Sequence, residues 1–431
     1  MKVNWKGMAA ISLIVVLAGT AVFFFNRASQ TSSGLDNPAL STLSLTGLLG
    51  DSGSAADSAG SVGSFAKALS PRPFKFPADH GPHPDYRNEW WYFTGNLRDS
   101  AGREFGYQLT FFRSALAPQG RGFQRGKDSA QTLSTRTSPW ASHQAYMAHL
   151  AITEVGATEG SRESGSRTRE SGSRTRERGS FHAYERFSRG ALGLAGAQAS
   201  PFRVWLENWS CESLGGDSSL FPLHLRAAQG SVSLDLILAE GKPMVLQGEA
   251  GFSRKGPEAG NASYYYSYTR MPTKGRISTS HGDFEVSGNG WMDREWGSSM
   301  LSAGVTGWDW FGLQLSDSTD LLFFRLRSSE PSTGRTGPVK FDYGMLVDPS
   351  GLGHVLGPEE IRAEILSVWK SPHGRAYPAR WRMEIPSRKL KLEIFPKRPD
   401  QELDLSLSYW EGAVAITAER AGKSLRGDGY M

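Results

Sequence analysis

The stretch "EWWYFTGNLRDS" (Glu89–Ser100) has an echo far along the chain, "GWDWFGLQLSDS" (Gly307–Ser318), and the two align without a gap. Trp90/Trp308, Phe93/Phe311, Leu97/Leu315, Asp99/Asp317 and Ser100/Ser318 are identical, and Tyr92 stands opposite Trp310. In the first copy Glu89, Trp91, Phe93, Gly95 and Leu97 fall on one face of an extended strand, while Trp90, Tyr92, Thr94 and Asn96 fall on the other. The turn "RDSAG" leads into "REFGYQLTFF", where Phe105, Tyr107, Leu109 and Phe111 alternate with Gly106, Gln108 and Thr110, so the pair forms a β-hairpin. Both copies are followed by an aromatic strand ending in Phe-Phe-Arg, at Phe111–Arg113 and Phe323–Arg325. This recurrence predicts two related β-domains, each the size of an up-and-down antiparallel barrel that encloses one small ligand.

Outward from these copies, the chain from Pro71 consists of short alternating segments broken by Gly, Pro, Asn and Asp, with few helical periodicities. The expected class is all-β, with a first domain at 71–255 and a second at 256–431. Residues 8–25, "MAAISLIVVLAGTAVFFF", form an uncharged apolar run behind Lys2 and Lys6. It is long enough to cross a bilayer with the lysines kept in the cytoplasm. Residues 1–27 therefore read as a signal anchor or a signal peptide, and the anchor is favoured because "FNRASQ" offers no Ala-x-Ala-like cleavage site. Residues 28–70, rich in Ser, Gly and Ala, read as a flexible linker. A tandem "ESGSRTR" at 163–169 and 170–176 marks a disordered insert at 161–180.

With 39% hydrophobic residues, the 431-residue chain can build substantial cores. The net charge of +5 is local, because Lys2, Lys6, Arg27 and the six Arg against three Glu within 161–180 account for it. The folded body is close to neutral, which argues against a nucleic-acid partner. The one cysteine, Cys211, excludes an intrachain disulfide and a lipid-bearing cysteine near the N-terminus. Neither a Gly-x-Ser-x-Gly elbow nor a P-loop occurs, and an α/β-hydrolase is disfavoured.

In "ADHGPHPDYRNEWWYFTG" (78–95), His80 and His83 are residue types of a metal site. Pro82 and Pro84 hold that loop extended, and no further Cys or His pair follows at finger-like spacing, so the histidines, with Arg87, read as hydrogen-bonding residues of an entry loop rather than as metal ligands. In "GNGWMDREWGSS" (288–299), Trp291, Asp293 and Glu295 point one way while Met292, Arg294 and Trp296 point the other. A carboxyl buried among tryptophans resists ionisation, so Asp293, Glu295 and Glu89 are candidate general acids. The alternative is that these carboxylates pair with an arginine, Arg294 or Arg87 included. Trp90, Trp91, Tyr92, Trp296, Trp308, Trp310 and Tyr266, the last from "NASYYYSYTRM" (261–271), are candidate pocket walls.

"DHGPHPDYRNEWWYFTG" and "GWMDREWGSS" resemble the signatures of the AttH-like, carotenoid 1,2-hydratase-like proteins, and the resemblance extends over 71–431. It implies a tandem pair of lipocalin-like antiparallel β-barrels, with members that are carotenoid hydratases and others encoded beside ABC-transporter components. In the hydratase branch a histidine and an asparagine stand at the positions of Arg294 and Glu295, while Asp293 and Trp296 match. The expectation is an exported protein, held at the periplasmic face of the inner membrane through residues 8–25 or secreted, that binds an apolar or amphipathic ligand such as a lipid or isoprenoid. The alternative is acid-catalysed hydration or hydrolysis of the same kind of ligand without a cofactor.

Deleting 161–180 removes six Arg and three Glu. The isoelectric point should fall and the thermal transition should persist, because a solvated loop holds no core contact. A calorimetric scan in which the transition disappears would contradict this.

Overall fold

The structure, a computed structural model, describes residues 64–118, 142–156, 179–217, 219–299, 305–328 and 342–431. The apolar run at 8–25, the linker as far as residue 63 and the insert 161–180 through residue 178 lie outside the described residues.

The first sheet begins with β1 (Asn88–Asp99), β2 (Glu104–Ala115), β3 (Gln144–Glu154) and β4 (Phe181–Arg189). It continues through β5 (Ala195–Ala199), β6 (Phe202–Leu206), β7 (Trp209–Ser213), β8 (Leu223–Gln229) and β9 (Val232–Leu238). Short strands β10 (Val245–Leu246) and β11 (Phe252–Arg254) precede a long hairpin of β12 (Ala262–Thr279) and β13 (Gly282–Gly297). The order is β4-β3-β2-β1-β13-β12-β9-β8-β7-β6-β5, with β10 and β11 paired to β12. Side chains tie the β4 edge to the other half of the sheet: Arg186 of β4 donates to Asn208 Oδ1 in the β6–β7 turn, to the Ala228 carbonyl at 3.1 Å and to Gln229 Oε1 at 2.8 Å, both in β8.

The second sheet contains β14 (Val305–Leu315), β15 (Asp320–Ser328), β16 (Tyr343–Val347), β17 (Gly353–Leu356), β18 (Arg362–Lys370), β19 (Ala376–Ile385) and β20 (Leu390–Pro396). A small hairpin of β21 (Glu402–Asp404) and β22 (Ser408–Trp410) follows, then β23 (Ala413–Arg420) and β24 (Lys423–Tyr430) complete the sheet. Its order is β17-β16-β15-β14-β24-β23-β20-β19-β18, a half-barrel. In both sheets the first strand of the repeat lies between its second and its last, β1 between β2 and β13, and β14 between β15 and β24. The all-β, tandem lipocalin-like architecture expected from the sequence is present, one sheet nearly closed and the other open.

Two boundaries move. The hairpin of β12 and β13, which the division at 255/256 assigned to the second domain, is hydrogen-bonded to β1 and completes the first sheet. Its alternation suits either sheet, so pattern alone carries no information on which edge it covers. At the other end, residues 64–70 of the proposed linker pack on the barrel: Ala68 is fully buried beside Phe252, Tyr264 and Trp296, and the Ala66 amide donates to the Asp85 carbonyl at 2.9 Å.

Trp91, Phe93, Leu97, Phe105, Tyr107, Leu109 and Phe111 fill the first barrel with side chains from β6 to β9. These side chains form the hydrophobic core of the first barrel. Gly95 shows how tightly they pack: a Cβ at that position would lie 2.5 Å from the Tyr107 ring and 2.6 Å from the Asn289 carbonyl. In the second sheet Phe311, Leu313 and Leu315 play the same part around Trp381 and Ile394. The repeated Asp is a turn residue in both copies, with Asp99 Oδ1 accepting from the Ala101 and Arg103 amides at 2.9 Å and Asp317 Oδ1 from the Thr319 amide at 3.1 Å.

The remaining faces of β1 and β14 are turned toward each other. The aligned residues Tyr92 and Trp310 meet edge to face, with ring centroids 5.1 Å apart. Asn96 Nδ2 donates to the Gly429 carbonyl of β24 at 2.9 Å, and its aligned counterpart Gln314 donates through Nε2 to the Gly290 carbonyl of β13 at 3.2 Å. The contact is thus self-complementary, the same patch of each repeat meeting the other. Gln314 also donates to the Thr269 carbonyl at 2.7 Å. Gln314→Ala strands two buried carbonyls and should cost about 1–3 kcal/mol; equilibrium denaturation checks this, and an unchanged midpoint would show the mirrored bonds to be incidental.

Candidate functional site

Alternation along β13 sends Trp291, Asp293 and Glu295 to the face that meets the second sheet and Met292, Arg294 and Trp296 into the first barrel. Asp293 is 6% exposed. Its Oδ2 accepts from Tyr265 Oη at 2.6 Å, and its Oδ1 accepts from Ser267 Oγ at 2.5 Å and Trp291 Nε1 at 2.7 Å. Tyr265 and Ser267 come from the neighbouring β12, whose tyrosine run alternates as the sequence implied. Trp310 of β14 donates through Nε1 to Tyr265 Oη at 3.2 Å. Burial pushes the Asp293 carboxyl up to about 7 against these three hydrogen bonds.

A second carboxyl lies where the same two sheets meet, near enough for Asp293 to act on it electrostatically. Glu411, just after β22, accepts a short hydrogen bond from Tyr92 Oη on Oε1 and one from Gln108 Nε2 on Oε2 at 3.1 Å. It keeps some accessible surface, yet protein surrounds it closely enough for burial to push its pKa up to about 8, Asp293 adding to the rise and Tyr92 opposing it. Among the described residues no Lys or Arg pairs with either carboxyl. Behind Glu411, Gln108 also donates to Tyr409 Oη at 3.2 Å, and Tyr409 Oη meets His149 Nδ1 at 2.7 Å. On the Asp293 side a groove of about 380 Å³, lined by Phe252, Ser253, Asp342, Tyr343 and Val355, opens beside Tyr343. Tyr343 Oη donates to Gln247 Oε1 at 3.3 Å, and Gln247 Nε2 to Ser267 Oγ at 2.8 Å, so groove and carboxyl share one hydrogen-bonded chain.

The opposite face of the strands holds a different arrangement. Glu89 is fully enclosed, and its carboxylate receives Arg113 Nε at 2.6 Å, Arg294 at 2.7 Å, the His83 amide at 2.8 Å and the His83 ring at 2.6 Å. Burial alone would raise its pKa, but Arg294 and Arg113 hold it well below the usual carboxylate range. Glu89 is therefore an ion-paired anchor and cannot supply a proton near neutrality, which removes it from the candidate acids. Arg294 stacks over the Trp91 ring at 4.0 Å, and His83 stacks on Trp296 at 3.9 Å. His80 Nδ1 meets Tyr266 Oη at 2.7 Å, and burial, with Arg294 nearby, pulls the ring down to about 4, so it stays neutral.

The junction of the sheets thus brings together Asp293, Tyr92 and Trp310 of the residues singled out in the sequence. Trp91, Trp296, Tyr266, His80, His83 and Arg294 lie together in the barrel core instead. Glu295 is on the correct face but is held by Ser263 Oγ at 2.5 Å and Lys255 at 2.9 Å. Trp90 contacts Phe112 edge to face, Trp308 is 39% exposed, and Arg87 donates its amide to Ser298 Oγ at 3.0 Å. Sequence reasoning missed Glu411, Gln108, Tyr409 and His149. Gln108 shows a signal in retrospect, as a polar residue flanked by Tyr107 and Leu109 in a strand buried on both faces.

Raised carboxyl pKa values have a defined effect on stability. Between the ordinary values of 3.8 and 4.5 and the native values of about 7 and 8, the folded protein holds protons that the unfolded chain has released. Stability therefore falls as pH rises through that window and levels off above it. Asp293→Asn and Glu411→Gln should each flatten the decline in melting temperature between pH about 5 and about 8. At Glu89 the expectation is opposite in kind: Glu89→Gln leaves two buried guanidinium groups underpaired and should cost on the order of 3–5 kcal/mol in chemical denaturation at pH 7.

Among known proteins, the family model described as AttH-like matches residues 67–431. A solved AttH protein of Nitrosomonas europaea is 29% identical, superposes with a TM-score of 0.66, and the match covers 85% of this chain and 98% of that one. Kievitone hydratase of Nectria haematococca shares the fold at 14% identity and a TM-score of 0.58, over 85% of this chain and 94% of its own. No curated protein matches the chain. With nearly the whole folded body matched, the chain belongs to the AttH-like family.

Proposed function

We propose that the protein binds an uncharged, largely apolar, unsaturated ligand between its two sheets and transfers a proton to it, as a cofactor-free hydratase or dehydratase does. The observation that carries this is the pair of carboxyls, Asp293 and Glu411, held near neutrality by burial among Tyr92, Tyr265, Trp291 and Trp310. Burial raises both carboxyls toward neutrality and Asp293 adds to the rise at Glu411, so the coupled pair holds a proton to give and a carboxylate to receive one; the donor role falls to Glu411, which a line of hydrogen bonds joins to the surface. In hydration, Glu411 gives its proton to one alkene carbon, aromatic faces stabilise the carbocation at the other, and a water adds there and yields a proton to Asp293. Dehydration runs the same steps in reverse. With no Lys or Arg pairing with these carboxyls among the described residues, the site disfavours a fatty-acid carboxylate, which narrows the lipid ligand expected from the sequence to neutral compounds such as isoprenoids or prenylated phenols.

Arg294 does not weigh against this chemistry, because it lies on the opposite face of β13 from Asp293. The architecture hosts a hydratase in the case of kievitone hydratase, a likeness of fold alone. The same proposal places the protein outside the cytoplasm, tethered or released, handling a ligand that ABC-transporter components deliver or remove. Tryptophan-quenching titrations with retinol and with palmitate test the ligand class: retinol should quench and palmitate should not, and equal quenching by both would defeat it. Incubation of neutral alkenes in heavy water tests the chemistry, with deuterium incorporation expected for wild type and a ~10²–10⁴-fold loss in Asp293→Asn and Glu411→Gln, both still binding retinol.

A further inference from the structure

Glu411 sits at the inner end of a second line of hydrogen bonds that runs away from the junction of the sheets to the surface. His149 of β3 is 0% exposed, and its two nitrogens are both engaged, Nδ1 with Tyr409 Oη at 2.7 Å and Nε2 with Glu185 Oε2 at 3.0 Å. Glu185 of β4 also accepts from Ser406 Oγ, an exposed residue, and the Glu185 side chain retains 13% exposure. At the inner end Tyr409 Oη and Glu411 Oε2 both accept from Gln108 Nε2, at 3.2 and 3.1 Å, so they lie within two hydrogen-bond lengths of each other. A line of titratable groups reaching from solvent through a fully buried histidine is costly to build without a use.

We propose that Glu185, His149 and Tyr409 form a proton conduit that reloads Glu411 from solvent; this rests on Glu411 being the proton donor of the site. After donation, Glu411 is an ionised carboxylate faced by Tyr92 from β1, Gln108 from β2, Asp293 from β13 and Tyr430 from β24, with the ligand between the sheets. The proton gained by Asp293 is on the far side of the ligand. Reloading therefore comes from behind. A proton arriving on Glu185 passes to His149 Nε2, the Nδ1 proton passes to Tyr409 Oη, and the Tyr409 hydroxyl releases its own proton through one water to Glu411. One proton enters and one leaves, and a return of the imidazole to its first tautomer readies the line again. Burial would raise Glu185, but hydrogen bonds from His149 and Ser406 outweigh it, so with Nε2–H donating to an ionised Glu185 the line stands as it does after delivery, and the return of the imidazole to its Nδ1–H tautomer frees Nε2 for the next proton taken up by Glu185. Phe112 packs edge to face against the His149 ring at 5.1 Å and offers no competing acceptor.

The test reads the proton on Glu411 directly and needs no substrate. Infrared spectra of the full chain should contain a protonated-carboxyl carbonyl band that disappears in Glu411→Gln. In stopped-flow pH-jump experiments, His149→Phe, which preserves the aromatic packing, and Glu185→Gln, at the accessible end, should each slow the recovery of that band by about tenfold or more. Imidazole in the buffer should restore part of the rate in His149→Phe. Unchanged recovery in both variants overturns the conduit while leaving Glu411 as the acid, whereas absence of the band in wild type overturns the donor role itself. The Glu185→Gln arm remains decisive if His149→Phe does not fold.

Discussion

β1 is buried on both faces, and this constraint shapes everything around it. Its odd-numbered positions from Trp91 to Leu97 complete a packed barrel, while Tyr92, Thr94 and Asn96 meet the second sheet. A strand in that position in an open antiparallel sheet would normally present polar side chains to water on one side. Here the polar side chains remain but the water is replaced by the other repeat: Tyr92 Oη and Asn96 Nδ2 find partners across the seam, while Thr94 Oγ1 is buried without one. The seam is consequently where carboxyls lose their hydration.

Burial of similar depth gives opposite ionisation on the two sides of these strands. Two unit charges about 4 Å apart at an effective dielectric near 20 attract by roughly 4 kcal/mol, and Glu89 has two guanidinium groups closer than that. Together they outweigh the several kcal/mol it costs to desolvate a carboxylate. Asp293 and Glu411 have only neutral donors, each worth less than a full charge. Desolvation wins there, and both carboxyls titrate near neutrality instead of far below it. The cations of the first barrel therefore create the fixed anchor, whereas those that cross the seam are paired elsewhere, Arg270 and Lys242 with Asp320 and Lys397 with Glu104, and leave Asp293 and Glu411 to neutral donors.

Period-2 alternation was enough to read the class, the repeat and the faces of β1, β12 and β13, because side-chain direction in a strand is local information. It could not assign the β12–β13 hairpin to a sheet, since an edge and its partner are specified by the whole barrel. Asp293 was legible because tryptophans flank it in sequence. Glu411 was not: "SYWEGA" carries no pattern that separates it from a surface turn, and it gains its partners Tyr92 and Gln108 only through contacts spanning some three hundred residues of chain. Glu89 looked like Asp293 from its neighbours, and only the distant Arg113 and Arg294 distinguish the two. Barrel packing was equally invisible, because whether facing side chains meet or leave a hollow depends on how far the sheet curls.

The mirrored seam has an evolutionary consequence. Two identical copies of one repeat, docked through the same patch, would be a homodimer in which every residue at the axis confronts its own twin. Such a pair can place an acid opposite a base only away from the axis and in two copies, since any substitution appears on both sides at once. Joined in one chain, the halves are free to diverge, and they have done so: Tyr92 confronts a tryptophan, Asn96 answers to a glutamine, and the two carboxyls come from non-equivalent places, one on a long central strand and the other beside a small accessory hairpin. Covalent linkage thereby converts a symmetric contact into a directional one, with a donor end and an acceptor end for whatever lies between.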